Sequence, residues 1–347
     1  MSSLIPMGLP PSKLRKAIIR CMLSGLVPIV TSSPAIGKSD IIRSIAKEYR
    51  MKLIDLRVPQ CDVTDFNGLP FATDDGKAAF LPFDTFPLKD DPLPDHPDGG
   101  QYEGWILFLD ELTSAPKHLQ APAYKLILDR LIGNHDLHPN VLMVAAGNLS
   151  SDKAIVFEMS TALQSRLIHL ELALDHAEWT DWAIQNNVDS RVISFLQFKP
   201  EMLYTFDPAK DEKTFAAPRT WNFVSKLTKN KPVEQDDLPL LAGAISPGPA
   251  QEFISFVQVF SDLPKISDII ANPTTIAVPH DPSVKFALAT VLAEKMDSNN
   301  VSELGKFLER MPIEARVICL RLLRQRNPSL IRHKAIQDVF APILARM

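Results

Sequence analysis

The run Trp105-Ile106-Leu107-Phe108-Leu109, closed by Asp110 and Glu111, constrains this fold more than any other stretch. Consecutive large apolar side chains cannot alternate between a wet and a dry face, so a strand made of them must be buried on both faces. Strands of that kind belong to parallel sheets covered by helices, whose ligand crevice lies at the carboxyl ends of the strands. The sequence therefore places Asp110 and Glu111 where a ligand would sit. The plain alternative is a strand that simply ends in acidic turn residues.

Four further β-rich runs, Val27–Thr31, Leu53–Arg57, Val141–Ala146 and Leu167–Leu172, are separated by helical periodicity. Lys38–Tyr49 gathers Ile41, Ile42, Ile45 and Ala46 on one face, and Leu119–Leu131 repeats in the same way. Residues 72–103 break this rhythm with Asp, Pro and Gly. They read as an excursion with a short hairpin around Lys77–Leu81: either a tolerated surface loop or one that touches a partner or a central pore. After Leu172 the β signals fade into short helices, including Glu178–Asn186 and Arg219–Lys229. Helix continues from about Leu238 to the end, with proline breaks at 246–249 and 272–282. The expected organisation is an α/β core over 1–172 with 72–103 inserted, a helical lid over 173–235 and a helical region over 236–347.

The run Val27–Thr31 leads through Ser32 into Ser33-Pro34-Ala35-Ile36-Gly37, with Lys38, Ser39 and Asp40 opening a helix. A strand, a turn and a helix N-terminus are the setting of a phosphate-binding loop, in which backbone N–H groups and the positive helix end cradle an anion. In that reading Lys38 reaches the β and γ phosphates, and Ser39 offers its hydroxyl to Mg²⁺. The pattern G-x-x-x-x-G-K-[ST] asks for Gly where this chain has Ser32, and Gly37 is the one glycine the loop keeps. Asp110 would complete the Mg²⁺ shell, and Glu111 would orient and polarise an attacking water. The run VLMVAAGN ends in Asn148, which could reach both the γ phosphate and that water; taken alone it is a turn asparagine.

Bulk properties narrow the classes further. The 347 residues carry 37 Lys and Arg against 41 Asp and Glu, a net charge of -4, without the basic excess of a duplex-coating protein. Residues 301–347 are locally basic, with nine Lys or Arg against four Asp or Glu. Such a face is ordinarily solvated, and a nucleic-acid or acidic-partner contact is the minority reading. Cys21, Cys61 and Cys319 form no CxxC or zinc pattern, and the eight histidines lack ligand spacing. No apolar run approaches the ~20 residues of a membrane span, and the N-terminus lacks a leader pattern. The expectation is a cytoplasmic protein without a membrane contact.

The order of motifs resembles the AAA+ ATPases and, within them, the MoxR-like branch. GKS resembles Walker A, WILFLDE Walker B and AAGN sensor 1, while LDELTSAPKHLQAPAYKLILDRLIG is similar to that branch's continuation of Walker B. The stretch from Ser160 to Leu167 resembles the segment that supplies an arginine finger, here Arg166. Ala217-Pro218-Arg219-Thr220-Trp221 resembles the sensor 2 motif, which points to Arg219. Asp65-Phe66-Asn67-Gly68-Leu69-Pro70 is similar to the segment after the second strand. The resemblance spans roughly residues 10–230 and departs at Ser32 and Ala35; beyond it, the helical tail is similar to those of phage-encoded members.

What the resemblance implies is a 5-1-4-3-2 parallel sheet, a helical lid over ATP and Mg²⁺, and a ring, commonly a hexamer. Each site would lie between neighbours, with Arg166 reaching the adjacent γ phosphate. It also implies a protein partner to be remodelled or loaded, of the kind that carries a von Willebrand factor A domain. Two other readings remain open: a nucleic-acid motor or helicase loader, and a nucleotide-gated scaffold ring with little hydrolysis.

Overall fold

A computed structural model describes residues 8–152, 157, 159–210, 212–258 and 263–344. The chain divides into two compact units, Met1–Asp175 and His176–Met347.

The first unit contains, in chain order, α1 (Pro11–Leu23), β1 (Val27–Ser32), α2 (Lys38–Glu48), β2 (Met51–Arg57), α3 (Val63–Asn67), β3 (Leu69–Ala72) and β4 (Ala78–Leu81). It continues with β5 (Gly104–Asp110), α4 (Lys117–Asp129), β6 (Leu131–Ile132), β7 (His135–Asp136), β8 (Val141–Asn148), α5 (Thr161–Gln164) and β9 (Leu167–Glu171). Five strands form one sheet in the order β2-β5-β8-β1-β9, with every pairing parallel. Numbered among themselves they run 2-3-4-1-5, which is the expected 5-1-4-3-2 order read from the opposite edge.

Strand β5 explains why the sheet is covered twice. Its side chains alternate between two cores: Trp105, Leu107 and Leu109 join Leu119, Ala123 and Leu126 of α4. Ile106 and Phe108 join Leu14 and Ile18 of α1 and Ile42 and Ile45 of α2. Five buried side chains at roughly 2 kcal/mol each make this strand alone contribute on the order of 10 kcal/mol, an upper bound because denatured chains already bury some surface.

The excursion contains the β3–β4 hairpin, in register from Leu69↔Leu81 to Ala72↔Ala78. The segment around Lys77–Leu81 supplies its second strand, while its first precedes the acidic stretch. Directly opposed residues share a face, so Leu69, Leu81 and Phe71 lie together, 49%, 61% and 45% exposed. A second, two-residue hairpin, β6–β7, was not visible in the sequence because strands that short carry no period.

The second unit is helical: α6 (His176–Gln185), α7 (Ser190–Phe198), α8 (Pro218–Thr228), α9 (Leu238–Ile245) and α10 (Pro247–Gln258). It continues with α11 (Ile266–Ala271), α12 (Pro282–Lys295), α13 (Val301–Glu309), α14 (Ile313–Arg326) and α15 (Lys334–Leu344). The expected proline breaks are helix starts, at Pro247 and Pro282, because a first-turn proline forfeits no helical hydrogen bond. One apolar cluster runs from Trp179 to Val339. Phe195, Trp221 and Phe253 meet pairwise at centroid distances of 5.5 to 5.7 Å. That core passes without a break from the segment expected as a lid into the one expected as a separate helical region. Trp179 is buried in it and Trp182 packs against it.

Candidate nucleotide site

The site is built at the carboxyl ends of β1, β5 and β8. Register sets its layout: Ser32 lies beside Asn148, and Thr31 beside Gly147. The sequence run of β8 to Ala146 stops two residues short of the observed strand, and those two residues bring Asn148 alongside the phosphate loop. After Ser32 the chain turns through Ala35 at φ 63 and Gly37 at φ 104, and Gly37 is the N-cap of α2. The left-handed region suits Gly37 but costs a non-glycine residue about 1 kcal/mol, so Ala35 leaves strain in the loop. Among the loop residues, Pro34 and Ile36 are partly buried, as are Ser33 and Ala35.

Lys38 folds back over the strand ends. Its Nζ donates to the Ser32 carbonyl (3.1 Å), Ser32 Oγ (2.8 Å), the Ser33 carbonyl (3.4 Å) and Asn148 Oδ1 (3.2 Å). Ser32, which departs from the glycine pattern, thus has a use the pattern does not foresee: it is fully buried and supplies two oxygens to Lys38. Ser39 Oγ donates to Asp110 Oδ2 at 3.2 Å, and the Glu111 N–H donates to Asp110 Oδ1 at 2.9 Å. Glu111 itself has φ 58 and ψ 29 and is exposed. A non-glycine residue in this region is uncommon and clusters at functional positions.

Asp40 turns elsewhere. Its N–H bonds the Gly37 carbonyl at 3.1 Å and its carboxylate pairs with Arg43 at 3.2 Å, so it offers the loop no donor. A hydroxyl beside one carboxylate, Ser39 with Asp110, suits Mg²⁺, which takes few protein ligands and completes its shell with water and phosphate oxygens. Among the described residues no cluster of three or more His, Cys, Asp or Glu could hold a metal by itself. A recess of about 380 Å³ in this unit is bounded by Lys52, Ile54, Asp84 and Pro92, on the edge strand β2, and none of the site residues lines it.

Arg166 stands apart from these groups within the first unit, and Arg219 belongs to the second unit. Arg166 precedes β9, whose Leu167 pairs with Val27 at the start of β1. It therefore lies at the amino end of the sheet, the full length of β1 away from the phosphate loop, or roughly 16 Å at about 3.3 Å per residue. Its guanidinium donates to the Ala162 carbonyl at 2.8 Å and lies 5.2 Å from the centroid of Tyr124. Arg219 opens α8 directly after Pro218, is exposed, and has no acidic side chain in salt-bridge range among the described residues. Thr220 anchors that helix start by accepting the Ala217 N–H at 2.8 Å.

Sequence reasoning passed over Thr113. This buried side chain accepts the Asn148 N–H at 3.0 Å and donates to the Asn148 carbonyl at 3.4 Å. The one available signal was Gly147, where an added Cβ would fall 2.3 Å from Thr113 Cγ2.

The parallel sheet order and the helical second unit are those expected of an α/β P-loop fold. No family model and no curated protein matches the chain. Among solved structures, NtrX from Brucella abortus is 14% identical across 92% of this chain and 69% of its own length, with a TM-score of 0.40. A point mutant of Thermotoga maritima RuvB is 13% identical across 98% of this chain and 92% of its own, with a TM-score of 0.33. Brucella abortus NtrX in complex with ADP is 11% identical across 99% and 69%, with a TM-score of 0.40. At such identities an activity has to be argued from the chain's own residues.

Proposed function

We propose that this chain is a ring-forming ATPase of the MoxR-like AAA+ kind, coupling ATP binding and hydrolysis to the remodelling or loading of a protein partner. The observation that carries this reading is the hydrogen-bonded convergence of Lys38 with Asn148 and of Ser39 with Asp110 at one end of a parallel sheet. Lys38 and the N–H groups of the loop would hold the β and γ phosphates, and Ser39 with Asp110 would hold Mg²⁺. Bound there, the metal would neutralise charge on the phosphate oxygens. Glu111, next to Asp110 and open to solvent, is placed to accept a proton from water, and Asn148 to orient that water.

Placement of Arg166 at the far end of the sheet supports a ring, commonly a hexamer, because the side chain cannot serve its own site. Arg219, at the start of α8, keeps the sensor 2 resemblance of its segment. The exposed Leu69, Phe71 and Leu81 favour a protein partner, since an apolar strip on a short hairpin suits a side-chain surface better than phosphates. A partner with a von Willebrand factor A domain fits the MoxR-like resemblance. The nucleic-acid motor rests on the basic stretch at 301–347 alone, and a salt-dependent titration with labelled DNA tests it. The scaffold reading takes its support from strain at Ala35.

The deciding experiment is ATP turnover against protein concentration, beside Glu111→Gln and Arg166→Ala. Turnover that rises cooperatively and falls about 10²- to 10⁴-fold in Glu111→Gln, with nucleotide binding retained, is the expected result. Tight ATP binding without turnover at any concentration would overturn it in favour of the scaffold.

A further inference from the structure

We propose that Thr113 is a positioning residue that ties the turn carrying Glu111 to the strand end carrying Asn148; this rests on the ATPase reading above. Thr113 lies in the 3₁₀ turn Leu112–Ser114, and that turn closes directly on the general-base candidate through the Ser114 N–H and the Glu111 carbonyl at 2.8 Å. A threonine hydroxyl has one proton and two lone pairs, so it can accept the Asn148 N–H and donate to the Asn148 carbonyl at the same time. The Thr113 carbonyl is also engaged, accepting the Phe157 N–H at 2.8 Å. With the side chain 4% exposed, water cannot replace these bonds.

Position 147 has to be glycine for this contact to exist. An added Cβ would fall 2.3 Å from Thr113 Cγ2 and 2.5 Å from its Oγ1, so any side chain there would drive the turn and the strand apart. Asn148 is thus held through its backbone by Thr113, while its amide oxygen holds Lys38 at 3.2 Å. The division of labour matters. Lys38 can exchange Asn148 Oδ1 for a phosphate oxygen without moving the strand end, and Glu111 keeps its φ of 58 because the turn behind it is pinned. Thr113 therefore links the strand end that holds Lys38 to the turn that carries Glu111, and it stands behind both.

Thr113→Val keeps the shape and removes the hydroxyl. The expected result is a kcat lowered about 10- to 100-fold with KM for ATP, and the Kd of a fluorescent ATP analogue, changed less than about threefold. Thr113→Ser should recover most of the rate, and Gly147→Ala should reproduce the kcat loss by forcing the two segments apart. Wild-type kcat in Thr113→Val, or a Kd weakened by the same factor as kcat, would overturn the proposal. Hydrogen exchange at the end of β8 is read on the same proteins and does not depend on turnover. Protection of the Asn148 amide should fall in Thr113→Val and return in Thr113→Ser, and unchanged protection overturns the link. Failure of wild type to hydrolyse ATP would instead sink the ATPase reading, with the exchange result still deciding whether Thr113 pins the strand end.

Discussion

Two polar clusters in this chain use similar groups toward opposite ends. In the α/β unit, Lys38 is held by neutral oxygens of Ser32, Ser33 and Asn148 at 2.8 to 3.4 Å. In the helical unit, Arg191 is held by the Asp189 carboxylate at 2.7 Å, and by the carbonyls of Thr228 at 2.6 Å and Lys231 at 2.9 Å. Asp189 is 5% exposed and also accepts the Arg191 N–H and the Thr228 hydroxyl, so its capacity is filled. The ammonium's bonds to neutral oxygens can be exchanged for bonds to a phosphate, in which donor and acceptor are both charged. A buried carboxylate with a matched guanidinium cannot be exchanged for anything without stranding a charge. The first cluster is suited to binding, the second to holding α7 against α8.

The comparison breaks most visibly at the arginine that belongs to neither cluster. Arg166→Ala should lower turnover by about 10³-fold or more. Mixed with Glu111→Gln, it should regain part of the rate, because in the proposed ring some sites would then combine an intact Glu111 with a neighbour's intact Arg166. A mixture as inactive as its components would remove Arg166 from the neighbour's site.

Next in size is Asp189→Ala, which leaves Arg191 without its carboxylate and should cost about 3 kcal/mol of stability in urea unfolding. Burial alone would raise the Asp189 carboxyl, but hydrogen bonds from Arg191 and Thr228, with the Arg191 charge, hold it below the usual carboxylate range. A depressed carboxyl contributes stability above its unfolded value near 4 and loses that contribution as pH falls through the folded value. The gap between wild type and Asp189→Ala should therefore be full above about pH 5 and close on acidification below about pH 4. A gap that persists unchanged at pH 2 would mean that packing, not charge, makes the difference.

The smallest effect belongs to the loop. Ala35→Gly relieves a left-handed alanine and should raise stability by at most about 1 kcal/mol, because the added freedom of glycine in the unfolded chain offsets part of the relief. Calorimetric melting checks this, and a clear loss of stability would show that Ala35 is unstrained.

The two units also differ in how much their sequence disclosed. The five strands of the main sheet were legible because β5 is apolar throughout and its neighbours alternate with periodic helices; observed ends moved by no more than two residues. Lys38, Ser39, Asp110, Glu111 and Asn148 were legible because each sits at a strand or helix end that those patterns mark. Ser32 read as a defect, since one-dimensional comparison sees a missing glycine and not the oxygens that Lys38 uses. Thr113 could not be read from its own neighbours, because its partner lies 35 residues away at the end of β8. In the helical unit the periodicity disclosed helices but not which of them share a core, since amphipathic segments do not state which neighbour covers them.

By itself, then, the sequence determined a doubly covered parallel sheet, the helices around it and the chemical types gathered at its carboxyl edge, because periodicity and end residues are local properties. Only the tertiary structure decided which of these touch. Parallel register set Ser32 beside Asn148 and sent Arg166 to the opposite end of the sheet, and close packing at Gly147 let Thr113 reach across. Register and packing are relations between segments distant in the chain, and no single segment encodes them.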